Sequence, residues 1–556
     1  MTWHHILLYA APGLPIALTL LVLAPGARGA LFRLLPFAPV PALAAAVLLP
    51  GGVEDPFPRT LLGAGMGLTE TARIFLGVGA LLWILAGIFA WATIAGERRE
   101  RFAGFWLATL SGNMLLFVAA DVVSFYLAFA TLSLAAFGLV VHYGTAEARR
   151  AARIYLVLAV LGETMLLLGF LIGAQAAGTI LIVDVRAALA EDFPARDLAV
   201  GLLVAGFGLK AGLMPLHVWL PLAHPAAPVP ASAVLSGAIV KAGIYGLATF
   251  LPLEADLPGW SAALVALGLA TAYLGVLFGV VQHRPKTVLA YSTLSQMGLV
   301  IVLLGSGFGS PGVGLVLAAA TLYGAHHGLA KGALFLSVGL VEKSGRRSRG
   351  PVVLAAGVAA LAIAGLPFTG GALAKLAIKG PMGEGAATLL VTLSAVGTTL
   401  LMLRFLQLLR RAAPAEGPPP AALLLPFLGC LAAALALPWL LFPGLTELTL
   451  GYAVTPASLW GALWPILVGA ALMAGALRLP RRPELRIAEG DIVVPLERAF
   501  RLVLILMRRA ERIRPPTLSM PEIPHFERAE RVFARWPAAG ALLLLACGLV
   551  ALAAMA

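Results

Sequence analysis

Apolar runs of about twenty residues recur along the whole of this chain, and they leave it almost one way to fold. Hydrocarbon holds no water to satisfy backbone N–H and C=O groups. A crossing segment must close its own hydrogen bonds as a helix, or join a closed barrel. About 20 residues make a helix long enough to cross. The runs here are continuous rather than alternating, which excludes the barrel. Only 12% of residues are charged, against roughly 25% in soluble domains. The prediction is an all-α polytopic membrane protein of about 14–16 transmembrane helices. The runs lie near 5–25, 29–49, 72–95, 103–120, 121–142, 153–175, 197–217, 229–251, 259–281, 287–305, 312–341, 351–368, 385–409, 421–442, 458–478 and 536–556. The first has no basic stretch before its apolar core and further spans follow it, so it reads as a retained helix rather than a signal peptide.

Loop charge alternates. After odd-numbered runs come Arg28 and Arg33, Arg98-Arg99-Glu100-Arg101, Arg149-Arg150 with Arg153, and Arg284 with Lys286. Lys343 with Arg346-Arg347-Arg349, Arg410-Arg411 and Arg481-Arg482 continue the series. After even-numbered runs come acidic or neutral loops, such as Asp184 to Asp197 and Glu254-Ala255-Asp256. The pattern predicts an inner (plasma) membrane protein with its N-terminus outside and its basic loops in the cytoplasm. It also explains the net charge of +13 without nucleic acid as a partner. Between 481 and 535 the pattern changes. Asp491 to Arg514 interleaves Val493, Leu496, Phe500 and Leu506 with Arg498, Arg501, Arg508 and Arg512, which predicts an amphipathic helix lying along the bilayer surface. A soluble connector is the alternative.

The chain has seven lysines, and five fall inside apolar runs: Lys210, Lys241, Lys331, Lys375 and Lys379. Lys286 and Lys343 sit in short polar loops. Arginine stays at the ends of runs. A lysine can lose its proton when buried, whereas arginine effectively cannot. A charge at the helix centre costs about 2.5–3.5 kcal/mol on insertion scales, so an intramembrane ionisable residue is a functional candidate. His327 stands four residues before Lys331 and shares its helix face, and histidine suits a proton relay. His326 reads equally as a hydrogen-bonded packing residue. Glu163 is the clear carboxylate within a run, either a partner that tunes a lysine or a structural ion-pair partner. Asp121 sits at a boundary. Two runs are interrupted, at Leu213-Met214-Pro215-Leu216 and at Leu366-Pro367-Phe368-Thr369-Gly370-Gly371. Lys210 precedes the first and Lys375 follows the second. Broken helices at membrane depth must line a cavity or contact protein, and paired ones point to an ion site and to internal repeats. No metal, nucleotide or flavin motif occurs, so no cofactor and no catalytic residue is expected. Cys430 and Cys547 have no partner spacing and read as small packing residues.

Three segments are specific enough to resemble a known family. They are Trp219-Leu220-Pro221 through His224-Pro225-Ala226-Ala227-Pro228 into Lys241-Ala242-Gly243, then Leu289-Ala290-Tyr291-Ser292-Thr293-Leu294-Ser295-Gln296-Met297-Gly298, and His327-Gly328-Leu329-Ala330-Lys331. They resemble the antiporter-like proton-pumping subunits of respiratory complex I, shared with Mrp-type cation/proton antiporters and membrane-bound hydrogenases. The resemblance covers roughly residues 70–410, and Gly365 to Lys379 looks more like the Mrp and hydrogenase branch. It implies two inverted five-helix repeats, 103–251 and 259–409, each with a broken helix. Around them stand N-terminal helices (1–102), C-terminal helices (410–480), the amphipathic segment (481–535) and a last span (536–556). It implies a proton path through Lys210, Lys241, His327, Lys331 and Lys375, and other membrane subunits as partners. One position departs: the segment from Asp121 to Ala130 carries alanine where the family has a key glutamate, and Glu163 on the neighbouring helix is a candidate substitute.

The expected function is a proton-translocating, antiporter-like subunit of a multi-subunit complex. A subunit that couples or supports without pumping is the alternative that Ala130 raises. An independent transporter of Na⁺ or a small solute is a third.

Overall fold

The computed structural model describes residues 3–495 apart from 22–23, 25, 27, 57–63, 97, 414 and 479–486. The amphipathic stretch from Leu496 onward and the run at 536–556 therefore lie outside the described residues, as does Cys547.

Fourteen helices among the described residues are long and apolar enough to cross a membrane. In chain order the helices are α1 (Trp3–Leu21), α2 (Arg28–Leu34), α3 (Val40–Leu48), α4 (Glu70–Thr93), α5 (Arg99–Val118), α6 (Val122–Val140) and α7 (Ala146–Ala177). There follow α8 (Ile182–Ala190), α9 (Arg196–Ala211), α10 (Trp219–Ala226), α11 (Val229–Val234), α12 (Val240–Phe250), α13 (Pro258–Val280) and α14 (Pro285–Gly305). The last are α15 (Val313–Glu342), α16 (Arg346–Ala364), α17 (Gly370–Met382), α18 (Ala386–Arg410), α19 (Ala421–Leu445), α20 (Leu450–Ala453) and α21 (Pro456–Arg478).

The run at 29–49, expected as one span, is instead the short pair α2 and α3. Pro36 and Pro39 stand between them, and each proline removes a backbone donor and crowds the preceding turn. A hairpin that sequence reading did not anticipate follows, β1 (Val53–Pro56) paired antiparallel with β2 (Gly65–Leu68). Met66 pairs with Ala119, and Asp121 with Leu181.

Burial grades from the periphery to the centre. Every residue of α14 from Thr287 to Gly305 is buried, and α15 packs against α4, α14, α16, α17 and α19. Hydrogen bonds join loops of the same parity. At one end Arg284 pairs with Glu147, and Arg98 donates to the His142 and Tyr143 carbonyls. At the other, Arg186 pairs with Glu254 and Trp260 donates to Asp197 at 3.0 Å. The loops carrying Arg98, Glu147 and Arg284 thus meet at one end of the bundle, and those carrying Arg186, Asp197 and Glu254 at the other.

Both interrupted runs are broken as expected. α9 ends at Gly212, whose φ of +87° suits glycine alone without strain, and the chain resumes through a 3₁₀ turn (Leu216–Val218) into α10. α16 ends at Gly365, φ +98°, before α17 begins. A third irregularity was not foreseen. α11 runs into α12 through a π turn, Leu235–Ile239, a form found often at functional sites.

Candidate functional site

Two glycine contacts set the backbone around the lysines. A Cβ on Gly243 of α12 would lie 2.5 Å from Phe207 O and 2.6 Å from Ala211 N, so only glycine lets α12 rest on the last turn of α9. A Cβ on Gly237 would lie 2.7 Å from Gly328 O, which seats the π turn directly on α15 beside His327.

Lys210, in that last turn of α9, is buried. Its Nζ donates to Ser133 Oγ at 2.6 Å and to Tyr155 OH at 3.2 Å. The ammonium also lies 5.4 Å from the ring centroids of Phe129 and Tyr155, within cation–π range. Glu163 of α7, 6% exposed, lies near the same Ser133 hydroxyl and acts electrostatically on Lys210. Its Oε1 has no hydrogen-bond partner among the described residues. Carboxylate, hydroxyl and ammonium are thus neighbours. Ala130 is one turn before Ser133 on α6, and Glu163 on α7 is the carboxylate near that hydroxyl.

Lys241, 2% exposed, donates to the Ser236 carbonyl at 2.8 Å, a carbonyl within the π turn. Its Nζ also lies 2.6 Å from His327 Nδ1. Such a contact requires one donor and one acceptor, so one N–H···N hydrogen bond joins two buried bases. Lys331, one helical turn past His327, donates to the Leu289 carbonyl at 2.9 Å. No carboxylate touches this cluster among the described residues. Two unit charges about 4 Å apart at an effective dielectric of about 20 repel by roughly 4 kcal/mol, so the cluster disfavours holding two charges at once.

Gln296, Tyr323, His326, His327 and Lys375 line one narrow cleft. Tyr323 OH donates to Gln296 Oε1 at 2.5 Å, and Gln296 donates to Thr398 at 3.0 Å. His326 donates through Nδ1 to the Ala434 carbonyl at 3.1 Å, so it ties α15 to α19 and also borders the cleft. The buried Nζ of Lys375 has no hydrogen-bond partner among the described residues. With Lys379, Thr392, Tyr452 and Ser458, Lys375 lines a cavity of about 230 Å³, large enough for several waters.

The structure therefore brings Lys241, His327, Lys331, His326 and Lys375 into one buried group, with Lys379 at its cavity. Lys210 and Glu163 form a second group, and among the described residues no hydrogen bond joins Lys210 to Lys241. Asp121 stands apart. It caps α6, accepting from Ser124 N at 2.8 Å and from Gly65 N at 3.1 Å. Cys430 is fully buried in α19.

Sequence reading missed several polar residues. His224 of α10 is fully buried, and neither ring nitrogen has a hydrogen-bond partner among the described residues. It stacks 4.6 Å from Phe335, within electrostatic reach of Lys286, Lys331 and Lys241. Its place in the Trp219–Pro228 motif between two apolar runs was the available signal. Lys286, read as a loop residue, lies in the first turn of α14 and donates to the Ala227 carbonyl at 2.5 Å, capping the C-terminus of α10.

Fourteen candidate spans among the described residues, two broken helices and a buried lysine–histidine series define a polytopic membrane protein. The chain matches, over residues 119–401, the family described as NADH:quinone oxidoreductase/Mrp antiporter, TM, and it belongs to that family. It is similar to Hydrogenase-4 component B of Escherichia coli (strain K12), 36% identical over 252 residues, 43% of this chain and 37% of that protein. It is also similar to a Na(+)/H(+) antiporter component from Alkalihalophilus pseudofirmus, 29% identical over 290 residues, 50% of this chain and 58% of that one. The matches span less than two thirds of either relative's length. A chain in the solved structure of the Mrp complex from Dietzia sp. DQ12-45-1b shares the fold, with a TM-score of 0.71 and 22% identity over 94% of this chain and 64% of that chain.

Proposed function

We propose that this chain moves protons across the membrane as an antiporter-like subunit of a multi-subunit complex of the Mrp, hydrogenase or complex I kind. The path runs through Lys210, Lys241, His327, Lys331 and Lys375, with Glu163 as the carboxylate beside Lys210 and Lys379 at the cavity. The Lys241–His327 contact at 2.6 Å carries the reading: two buried bases joined by one N–H···N hydrogen bond make a site that exchanges a proton. Protons hop between lysines as the charge on each biases the next, and a partner's redox or transport step supplies the drive. The two broken helices support an assignment of 103–251 and 259–409 as inverted repeats. The meeting at one end of the loops carrying Arg98, Glu147 and Arg284 supports an inner-membrane topology with the basic loops cytoplasmic and the N-terminus outside. The test is proton uptake into inside-out vesicles by Lys210→Ala and Lys375→Ala variants assembled at wild-type levels. Loss of uptake is expected, and undiminished pumping by both sinks the reading.

Ala130 favours one other reading, a subunit that couples or supports a complex without conducting. In that case both variants retain full activity wherever assembly survives.

A further inference from the structure

His217, in the 3₁₀ turn between α9 and α10, is fully buried. Its Nε2 lies 3.0 Å from Oδ2 of Asp491, far along the chain beyond α21. Tyr291 OH donates to the same oxygen at 2.7 Å. The Asp491 side chain is 5% exposed. Its segment is held by further contacts: Thr287 donates to Glu489 at 2.8 Å, and Gln282 donates to the Ile487 carbonyl at 3.4 Å. Gly490 has φ +83°, and a Cβ there would meet Leu222 of α10 at 2.9 Å. The docked segment thus lies on the half-helix that follows the break.

The second ring nitrogen of His217, Nδ1, is buried with no hydrogen-bond partner among the described residues. A carboxylate on Nε2 fixes the Nε2–H tautomer and leaves the Nδ1 lone pair free, and it stabilises the imidazolium when a proton arrives. We propose that Asp491 is a positioning residue that makes His217 a proton-binding site at the basic-loop end of the first broken helix, and this rests on the proton-path reading. A proton binds at Nδ1, giving an imidazolium paired with the Asp491 carboxylate. Its departure from Nδ1 to the next acceptor restores the starting tautomer, so each N–H bond formed or broken at the ring is matched by the loss or gain of a proton on the donor or acceptor. The other titratable and charged groups around the pair are Tyr291 and Lys286 on α14, Arg284 at its N-cap, His224 on α10, Glu147 on α7 and Glu489 on the docked segment. Arg284 is engaged by Glu147 and Glu489, which leaves Asp491 as the carboxylate on the ring. Burial pushes the Asp491 carboxyl up, but the hydrogen bonds and charge of His217, with help from Ile492 N–H and Tyr291, more than reverse it, and it sits below the ordinary range.

The experiment measures proton translocation from about pH 5.5 to 8.5 in inside-out vesicles holding the full chain in its native assembly. Asp491→Asn keeps the side chain's size and removes its charge. An opposite charge at this range is worth about one to three pH units, so the alkaline limb of the rate profile is expected to move down by that amount. Asp491→Glu, which keeps the charge, and Tyr291→Phe, which leaves the carboxylate, are expected to hold the wild-type profile. A uniform fall in rate with an unmoved profile, an unchanged rate, or an equal shift in Tyr291→Phe overturns the proposal. If the Asn variant does not assemble, His217→Gln tests the same point, with loss of the alkaline limb expected and its persistence fatal. Lys210→Ala separates the two readings. If it pumps normally, the proton path itself fails. If it is dead while Asp491→Asn keeps the wild-type profile, only the role of Asp491 fails.

Discussion

Replacing Glu163 with glutamine tests whether a carboxylate on α7 stands in for the one absent from α6. Ser133 Oγ accepts from Lys210 Nζ at 2.6 Å, and Glu163, near that hydroxyl, acts electrostatically on the same ammonium. At about 5 Å and an effective dielectric of about 20, that attraction is roughly 3 kcal/mol. At 1.36 kcal/mol per tenfold, its loss lowers occupancy of the charged pair by on the order of a hundredfold. Glutamine keeps the shape of the side chain, so the fold should stand. The assay is dye-reported proton translocation in inside-out vesicles, with variant levels matched by immunoblot. The expected result is a rate at least tenfold below wild type, with Glu163→Gln adding nothing in a Lys210→Ala background. Placing glutamate at Ala130 in the Glu163→Gln chain should recover part of the rate, because Ala130 lies one turn from Ser133 on the same helix. A Glu163→Gln chain that pumps within twofold of wild type while Lys210→Ala does not would refute the reasoning.

Two further outcomes follow from residues outside the lysine groups. Asp121→Ala removes an N-cap and leaves two backbone donors unpaired, so thermal stability in detergent should fall by about 1–2 kcal/mol, while proton translocation per assembled complex stays unchanged. The segment that carries Glu489 and Asp491 should show opposed pH responses in hydrogen exchange. Burial raises the Glu489 carboxyl against the pull of Thr287 and Arg284, so its contribution to docking is greatest below the ordinary glutamate range and falls as pH rises through the raised value. Glu489→Gln should therefore protect residues 487–494 more than wild type at neutral pH. Asp491, held low, contributes above its unfolded value and loses that contribution on acidification through the depressed one.

Much of this arrangement was legible in the residues themselves. Lys210, Lys241, Lys331 and Lys375 stood out because ionisable groups are expensive in apolar helices, and Pro215 and Pro367 announced the breaks beside two of them. The spans were legible because backbone hydrogen bonding in hydrocarbon permits so few alternatives. Local proline chemistry defeated the run at 29–49, where length and apolarity were right but Pro36 and Pro39 divide it. The partners of the lysines were the least legible. Ser133 and Tyr155 look like ordinary polar residues until α6, α7 and α9 pack. The His217–Asp491 pair is separated by most of the chain, and no local pattern joins its members. Lys286 looked like a loop cation because it stands just before the apolar run at 287–305, yet α14 begins at Pro285, and proline is at home in the first turn of a helix.

The π turn at Leu235–Ile239 sets the angular phase of everything that follows it on α12. An i→i+5 turn holds one residue more than an α turn, and in an α-helix one residue is about 100° of rotation. Lys241 reaches His327 because that surplus residue has been taken up before it. Straightening the turn into regular α-helix, without shortening the chain, would swing the Lys241 ammonium roughly a quarter circle around the helix axis. Gly243 would turn with it, away from Ala211. The bond between Lys241 and the Ser236 carbonyl, inside the turn, couples the winding of this helix to where its lysine points, so a change of winding is also a change of contact.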